Sequence, residues 1–233
     1  MTAETWPNLV TMFFDQAAEK RDAPFLWAKT DGTYHDFSWS QAASIIEALA
    51  HGLKAAGVNP GDRVVLISEN RPEWLMADMA IMAAGGISVP AYTTNTTADH
   101  VHILSDSGAV GVIVSNDRLA KSLIPAAEQV ESAKFIVGID ALSDTGTGTL
   151  QSHTWASMTD SNDKEGTIKE EAQSLKRTDT ACIIYTSGTG GAPKGVLLSH
   201  GAILHNCAGS ADAIEPLGLD DNGFLSFLPL SRL

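Results

Sequence analysis

Residues 64–139 alternate between short apolar segments rich in β-branched side chains and longer segments with helical periodicity. The predicted strands span residues 64–68, 87–92, 109–115 and 134–139, and the predicted helices between them span residues 72–84 and 98–107. Apolar strands that alternate with helices are typical of a mostly parallel sheet covered on both faces. The pattern therefore predicts an α/β fold with mostly parallel sheets flanked by helices.

Two of the helices have distinctive sequences. The helix at residues 72–84 is apolar nearly all round, so we expect it to be the most buried. A further helix begins near Asp117 and meets Pro125, which we expect to end or kink it because proline cannot donate a backbone hydrogen bond.

An entry module is predicted ahead of the alternating units. Residues 7–20 form an amphipathic helix, and residues 25–27 and 33–39 form a hairpin turned at Asp31 and Gly32. The side chains predicted to face inward from that helix are Leu9, Val10, Phe13, Phe14 and Ala17. Ser40 is the predicted N-cap of the next helix, and Gly57 closes it.

Charge and composition exclude several classes of protein. A formal net charge of −13 and a pI near 4.8 argue against nucleic acid as a partner, because its phosphates require a basic surface. No uninterrupted apolar run approaches the length of a membrane span, and the N-terminus lacks the basic start and apolar centre of a signal peptide. We therefore expect a cytoplasmic protein.

Cysteine and histidine do not form a metal-binding pattern. Cys182 and Cys207 are too few for a disulfide framework or a metal cluster, and we expect both to be buried as small apolar residues. His100 and His102 lie two residues apart on a predicted helix, so they point to different faces and do not form a zinc site.

The periodic pattern weakens between residues 140 and 179, where a charged segment is predicted to be a solvated connector with a short helix. We place a subdomain boundary near Arg177, which divides the chain into residues 1–177 and residues 178–233. The second part then contains a strand at residues 182–185, a glycine-rich loop, a return strand, a helix at residues 199–213 and a strand at residues 224–230.

The glycine-rich loop concentrates the groups that a protein uses to hold an anionic ligand. Its hydroxyls are Thr186, Ser187 and Thr189, its glycines are Gly188, Gly190, Gly191 and Gly195, and its cation is Lys194. Glycine allows backbone N–H groups to approach phosphate oxygens, hydroxyls add further donors, and lysine adds positive charge. A phosphate-bearing ligand is the resulting hypothesis.

Two familiar phosphate-binding motifs do not match this loop. A Walker A motif aligned on Lys194 has Pro193 where its second glycine belongs and Gly195 where its magnesium-binding Ser or Thr belongs. A dinucleotide fingerprint started at Gly188 also ends on Pro193. A flexible surface hairpin is the remaining alternative, although an ordinary turn needs only one or two special residues.

Residues 185–195 resemble the phosphate-loop signature of the adenylate-forming (AMP-binding) superfamily, commonly written Thr-Ser-Gly-Thr-Thr-Gly-x-Pro-Lys-Gly. This superfamily includes acyl-CoA synthetases, luciferases and peptide-synthetase adenylation domains. The chain departs from the signature at Gly190, which replaces the second threonine and removes a hydroxyl donor.

The likeness extends over nearly the whole chain and is greatest to long-chain fatty acyl-CoA synthetases. It is carried by residues 70–74, 83–86, 89–90, 199–200 and 227–231. A second departure follows the last of these segments. Many relatives have histidine there, at the floor of the acyl pocket, whereas this chain has Arg232.

The resemblance implies part of the N-terminal domain of a luciferase-like enzyme with a two-step reaction. A fatty carboxylate attacks the α-phosphate of ATP to give acyl-adenylate and pyrophosphate, and the thiol of coenzyme A then displaces AMP. By the same resemblance, Lys194 and Mg²⁺ act on the β- and γ-phosphates, and Thr186 also approaches the metal. Residues implied to contact the nucleotide are Thr186, Ser187, Gly188, Thr189, Gly190, Gly191 and Lys194.

The resemblance also implies a longer parent protein. The adenine-binding segment, the acidic magnesium ligand, the ribose-binding aspartate, the hinge and the C-terminal domain with its own lysine have no counterpart in these residues. We therefore expect the isolated 233 residues to be inactive.

Two other functions use the same loop. One is adenylation of an aryl or amino acid, and the other is a non-catalytic nucleotide-loop module. The sequence leaves open the preferred acyl chain length, peripheral contact with a membrane and formation of a homodimer.

Overall fold

The structure, a computed structural model, describes residues 5–160, 168–186, 192–214, 218, 226 and 228–230. Its strands are β1 (Pro24–Thr30), β2 (Thr33–Ser38), β3 (Arg63–Ile67), β4 (Ile87–Pro90), β5 (Gly111–Val114), β6 (Phe135–Gly138), β7 (Gln151–Thr154), β8 (Thr180–Thr186) and β9 (Lys194–Ser199). Its helices are α1 (Leu9–Lys20), α2 (Trp39–Ala55), α3 (Pro72–Ala83), α4 (Thr97–Ser107), α5 (Asp117–Ala127), α6 (Trp155–Thr159), α7 (Ile168–Ala172) and α8 (His200–Ile214).

One sheet contains seven of the strands in the order β7-β6-β5-β3-β4-β8-β9. Adjacent strands from β7 to β8 are parallel, and β9 is antiparallel to β8. Strand β3 lies in the interior of the sheet, where Val64 and Val65 face opposite sides and are both fully buried. The predicted α/β fold, with a mostly parallel sheet flanked by helices, is confirmed.

Helices cover both faces of this sheet. One apolar core contains side chains of α1, α2 and α3, and the other contains side chains of α4 and α5. Eight of the 12 residues of α3 are buried, a larger fraction than in α1, α2, α4, α5 or α8. The sequence predicted this burial because the helix has no continuous polar face.

The entry module has the predicted form. The residues of α1 that are buried are Leu9, Val10, Phe13, Phe14 and Ala17, as predicted. Strands β1 and β2 form an antiparallel hairpin whose turn residues, Asp31 and Gly32, have φ values of 51° and 82°. Positive φ at both positions is the geometry of a type I′ turn, which matches the right-handed twist of the two strands.

The predicted N-cap at Ser40 is wrong, because α2 begins earlier and is capped by Ser38. The Ser38 hydroxyl accepts a hydrogen bond from the Gln41 backbone N–H at 3.2 Å, and the Gln41 side chain accepts one from the Ser38 N–H at 2.8 Å. This reciprocal capping box needs a side chain that can accept a hydrogen bond three residues after the cap. Ser40 has Ala43 at that position.

The expectation is that Pro125 ends or kinks its helix. Helix α5 continues through Pro125 and ends two residues later, at Ala127, so the proline does not end the helix at its own position, and the kink stays a prediction. Pro125 has no N–H to donate to the Lys121 carbonyl, so the helix loses one backbone hydrogen bond, and only two helical residues follow it. The Gln129 side-chain amide also donates to the Pro125 carbonyl at 2.6 Å.

The connector contains more structure than its sequence predicted. The short strand β7 pairs in parallel with β6, although its sequence, Gln-Ser-His-Thr, has no apolar alternation. Helix α7 is the predicted short helix, but Ile168 and Ala172 are buried, so the segment is not simply solvated. Both elements form because neighbouring elements supply their partners, which local sequence does not show.

The cysteines differ in their environments. Cys182 is buried as expected, whereas Cys207 is exposed, so the expectation for Cys207 is wrong.

In the described part of the chain, no helix combines the length and the apolarity needed to span a bilayer. Of the strand predicted at residues 224–230, residues 226 and 228–230 are described and do not form a strand, so the prediction is wrong there, and residues 224, 225 and 227 lie outside the described residues.

The N-terminal segment and the segment around Arg177 are joined by buried and half-buried polar contacts. The Asn8 side chain donates to the carbonyl oxygens of Ala172 and Leu175 at 2.8 and 3.0 Å, and Arg177 donates to the Trp6 carbonyl at 2.7 Å. The subdomain boundary near Arg177 stays a prediction.

Candidate functional site: the mouth of the β8–β9 hairpin

Thr186 and Lys194 lie at the open end of the β8–β9 hairpin. They are directly paired across the two strands, and both are exposed. Directly opposed residues of an antiparallel pair project from the same face, with Cβ atoms about 5 Å apart. The hairpin therefore presents a hydroxyl and a positive charge side by side where the two strands lead into the glycine-rich loop.

The loop itself cannot be assessed in the same way. Ser187, Gly188, Thr189, Gly190 and Gly191 lie outside the described residues, and their contacts with a nucleotide stay predictions. The departure at Gly190 and the one at Arg232 also lie outside them.

Gly195 leaves room for the side chains of the opposite strand. A Cβ atom at Gly195 would lie 2.8 Å from Cγ2 of Ile183 and 3.2 Å from Cζ of Tyr185. The first distance is shorter than any ordinary carbon–carbon contact. The glycine after Lys194 thus allows the Tyr185 ring to lie across β9.

Helix α4 contacts both arms of the hairpin. The Tyr185 hydroxyl donates to Asp106 Oδ2 at 2.6 Å, and His102 Nε2 lies 2.7 Å from the Pro193 carbonyl oxygen. The His102 and Tyr185 rings meet edge to face at 6.0 Å. Burial, together with the hydrogen bond to the Asp106 carboxylate, raises the pKa of Tyr185, so the phenol stays protonated and remains a donor.

The sequence did not reveal the contacts of His102 and Asp106. It did predict that His100 and His102 point to different faces, and this is confirmed: His100 is 2% exposed, whereas His102 reaches Pro193. The available signal was the four-residue spacing of His102 and Asp106, which places both side chains on one face of α4.

Charge at the hairpin mouth is not neutralised within the described part of the chain. No ion pair there joins Lys194 to a carboxylate, although other cations such as Arg71 and Arg118 are paired. The described residues also contain no cluster of three or more His, Cys, Asp or Glu side chains arranged to hold a metal ion. Lys194 is therefore available to an anionic ligand.

A second polar cluster lies at the carboxyl ends of β3 and β5, where the chain leaves β3 towards one edge of the sheet and β5 towards the other. Such a switch point is a common ligand site. Here Glu69 accepts hydrogen bonds from Ser115 at 2.6 Å, from Asn116 at 3.1 Å and from Arg118. Burial alone would raise the pKa of Glu69, but these bonds hold it at about 2.

Next to this cluster, the structure brings together two segments that carry the family resemblance. The Asn70 side chain donates to the Leu228 carbonyl at 2.7 Å and accepts from the Leu230 N–H at 3.1 Å. The side chain therefore fixes the chain near its C-terminal end against the start of α3.

A buried acid lies on the face of the sheet opposite α4. Asp78 Oδ1 and Ser88 Oγ are both buried, and the Ser88 hydroxyl lies beside the Asp78 carboxyl. Burial raises the pKa of Asp78 to about 6, and burial and the Asp78 charge raise the pKa of Cys182 to about 12. The Cys182 thiol is consequently a poor nucleophile.

The sequence model of a protein family described as AMP-binding enzyme matches residues 13–232 of this chain. The chain belongs to the AMP-binding enzyme family. It is 31% identical over 226 residues to a long-chain-fatty-acid–CoA ligase of Mycobacterium tuberculosis, and 33% identical over 221 residues to the peroxisomal long chain acyl-CoA synthetase 7 of Arabidopsis thaliana. These alignments cover 97% and 88% of this chain but 37% and 30% of the two relatives, so the chain spans about a third of their length.

Solved structures of AMP-binding enzymes share the fold. The acetoacetyl-CoA synthetase of Streptomyces lividans superposes with a TM-score of 0.75 at 19% identity, over 88% of this chain and 32% of that enzyme. At this identity the likeness concerns the fold alone. It does not indicate which carboxylic acid this protein would activate.

Proposed function

We propose that this chain acts as the N-terminal part of an ATP-dependent long-chain fatty acid–CoA ligase. The observation that carries the proposal is the pairing of Thr186 with Lys194 at the mouth of the hairpin, in the loop whose sequence carries the family signature. The two long-chain relatives support the choice of fatty acid as the substrate class.

The chemical difficulty in this reaction is charge. A carboxylate has to approach the α-phosphate of ATP, a polyanion, and negative charge moves onto the departing pyrophosphate. Lys194 offsets the charge on the β- and γ-phosphates, and the Thr186 hydroxyl donates a hydrogen bond beside it. Because both groups are held by strand pairing before the ligand arrives, little reorganisation is needed during the reaction.

Magnesium is compatible with this arrangement. Thr186 supplies one neutral oxygen, and Mg²⁺ is commonly bound by few protein ligands together with substrate phosphates and water. When bound, the ion would add positive charge at the phosphates.

ATP–pyrophosphate exchange tests this proposal. The full-length protein should exchange pyrophosphate into ATP when palmitate is supplied, and coenzyme A should then yield palmitoyl-CoA and AMP. The 233-residue chain alone should show no exchange above its Lys194→Ala variant. Faster exchange with benzoate or phenylalanine than with palmitate would contradict the fatty acid assignment and support the aryl or amino acid alternative. Binding of ATP without turnover by the full-length protein would support a non-catalytic module.

A further inference from the structure

Helix α4 is tied to each arm of the hairpin by a different side chain. Asp106 accepts from the Tyr185 hydroxyl on β8 at 2.6 Å, and His102 Nε2 lies 2.7 Å from the Pro193 carbonyl oxygen, immediately before Lys194. Since a carbonyl oxygen only accepts hydrogen bonds, Nε2 of His102 carries the proton and donates it. The two contacts lie one helical turn apart on the same face of α4.

The hairpin mouth has little other support from the sheet. Strand β4 pairs in parallel with β8 at Ser88 opposite Cys182, and β4 ends at Pro90. In this register Pro90 lies level with residue 184, so Thr186 and Lys194 project beyond the end of β4. Beyond that point β8 and β9 form a two-stranded ribbon, which is only marginally stable in water without further packing. Its packing comes from Tyr185, which is 4% exposed in the apolar core that α4 also lines.

Helix α4, in contrast, is held independently of these two bonds. Ile103 and Leu104, on its buried face, are 3% and 0% exposed in the core beneath the sheet. The helix is therefore a fixed element, and the hydrogen bonds transmit its position to the hairpin rather than the reverse.

We propose that His102 and Asp106 are positioning residues that clamp the two arms of the hairpin and thereby hold Lys194 and Thr186 in place for the phosphates of ATP. This inference rests on the proposed function, because it assigns a role in the same site. The clamp acts through the contacts of His102 with Pro193 and of Asp106 with Tyr185.

Hydrogen exchange of the 233-residue chain tests the clamp directly. In His102→Ala, Asp106→Ala and the double variant, peptides covering residues 192–197 should exchange at least several-fold faster than in the wild type. Peptides covering β3 should be unchanged. Ser105→Ala, an exposed position on the same helix, is the matched control. Equal exchange at residues 192–197 in the wild type and the folded double variant would overturn the proposal.

Kinetics of the full-length protein provide a second test. Loss of one hydrogen bond should lower kcat/KM for ATP roughly threefold to tenfold, and the double variant should lose more. The KM for the fatty acid should not change. His102→Gln places an amide donor near the Nε2 position and Asp106→Asn keeps a carbonyl acceptor, so both should recover most of the lost activity.

The outcomes separate the clamp from the proposed function. If Lys194→Ala abolishes exchange activity while the double variant is fully active, the clamp is wrong and the ligase assignment stands. If the wild type does not activate palmitate, the ligase assignment fails, and hydrogen exchange still decides whether α4 orders the hairpin. Should His102→Ala fail to fold, His102→Leu and His102→Gln can be compared instead, and equal exchange at residues 192–197 in these two variants would overturn the role of the donor.

Discussion

The hairpin mouth and the polar cluster around Glu69 at the carboxyl ends of β3 and β5, here called the crevice, are both polar sites at strand ends. They differ in whether their charged side chains are paired with other groups of the protein. In the crevice, the Glu69 carboxylate is surrounded by donors from Ser115, Asn116 and Arg118. At the hairpin mouth, Lys194 is exposed and no carboxylate of the described residues pairs with it.

This difference indicates what each site does. A charge whose hydrogen-bonding capacity is met by the protein contributes to the fold and has little left for a ligand. A cation held at a fixed position without a counter-charge can bind an anion. The switch point of the sheet, a common ligand site, is in this protein filled by its own side chains. Substitutions in the crevice should therefore change stability, and substitutions at the hairpin should change phosphate chemistry.

The largest expected effect follows from Lys194→Ala in the full-length protein. Loss of the ammonium group should lower ATP–pyrophosphate exchange roughly hundredfold, because charge on the leaving pyrophosphate is no longer offset. Lys169→Ala, an exposed position on α7, is the control and should retain full activity. Exchange that is unchanged in Lys194→Ala would show that the loop is only structural and would remove the contrast between the two sites.

In the crevice, Glu69→Ala should lower the free energy of unfolding by about 2 kcal/mol, because Ser115 and Asn116 lose their shared acceptor. Urea denaturation of the 233-residue chain measures this change. The kcat/KM for ATP of the folded full-length variant should stay within twofold of the wild type. A large loss of ATP-dependent activity without loss of stability would indicate that the crevice also serves the reaction.

Gly195→Ala should have a smaller effect on stability, about 1 kcal/mol, because the new methyl group displaces Ile183 and the Tyr185 ring. Displacement of Tyr185 also disturbs the hairpin, so we expect KM for ATP to rise several-fold. Gly209→Ala is the matched control, since a Cβ atom there meets nothing within 4 Å and alanine favours the helix. Equal kinetics in the two variants would argue against tight packing beneath Lys194.

The smallest effect concerns pH. The pKa of Glu69 is about 2, below its ordinary value of 4.5. Its contribution to stability is therefore complete above about pH 4.5 and is lost as the pH falls towards 2. Because the Glu69 side chain is 41% exposed, solvent screening reduces this contribution to below about 1 kcal/mol. Unfolding curves of wild type and Glu69→Gln between pH 6 and 3 should converge on acidification, and a constant difference would contradict the assignment.

The sequence predicted those features that depend on local patterns. Helical periodicity predicts the inward face of α1, and turn stereochemistry predicts the turn at Asp31 and Gly32. The lack of a polar face predicts the burial of α3. Each of these patterns can be recognised from residues that are close together in the sequence. The placement of Thr186 and Lys194 on two strands joined by the loop also follows from such a pattern.

Other features depend on residues far apart in the chain. Strand β7 has no strand-like sequence and forms because β6 presents an unpaired edge to it. The contact of Asp106 with Tyr185 spans 79 residues, and that of His102 with Pro193 spans 91 residues. No local pattern encodes such pairs, because they arise only when α4 packs under the sheet.

The sequence by itself determined that this protein is an α/β chain with a glycine-rich, phosphate-binding type of loop between two strands. Strand periodicity and the combination of glycines, hydroxyls and a lysine both involve residues that are adjacent in the sequence. Only the tertiary structure decided that the crevice at the switch point is filled by Glu69 and its donors, whereas no carboxylate among the described residues pairs with Lys194. The physical reason is that the electrostatic state of a side chain depends on which groups the fold brings within hydrogen-bonding distance.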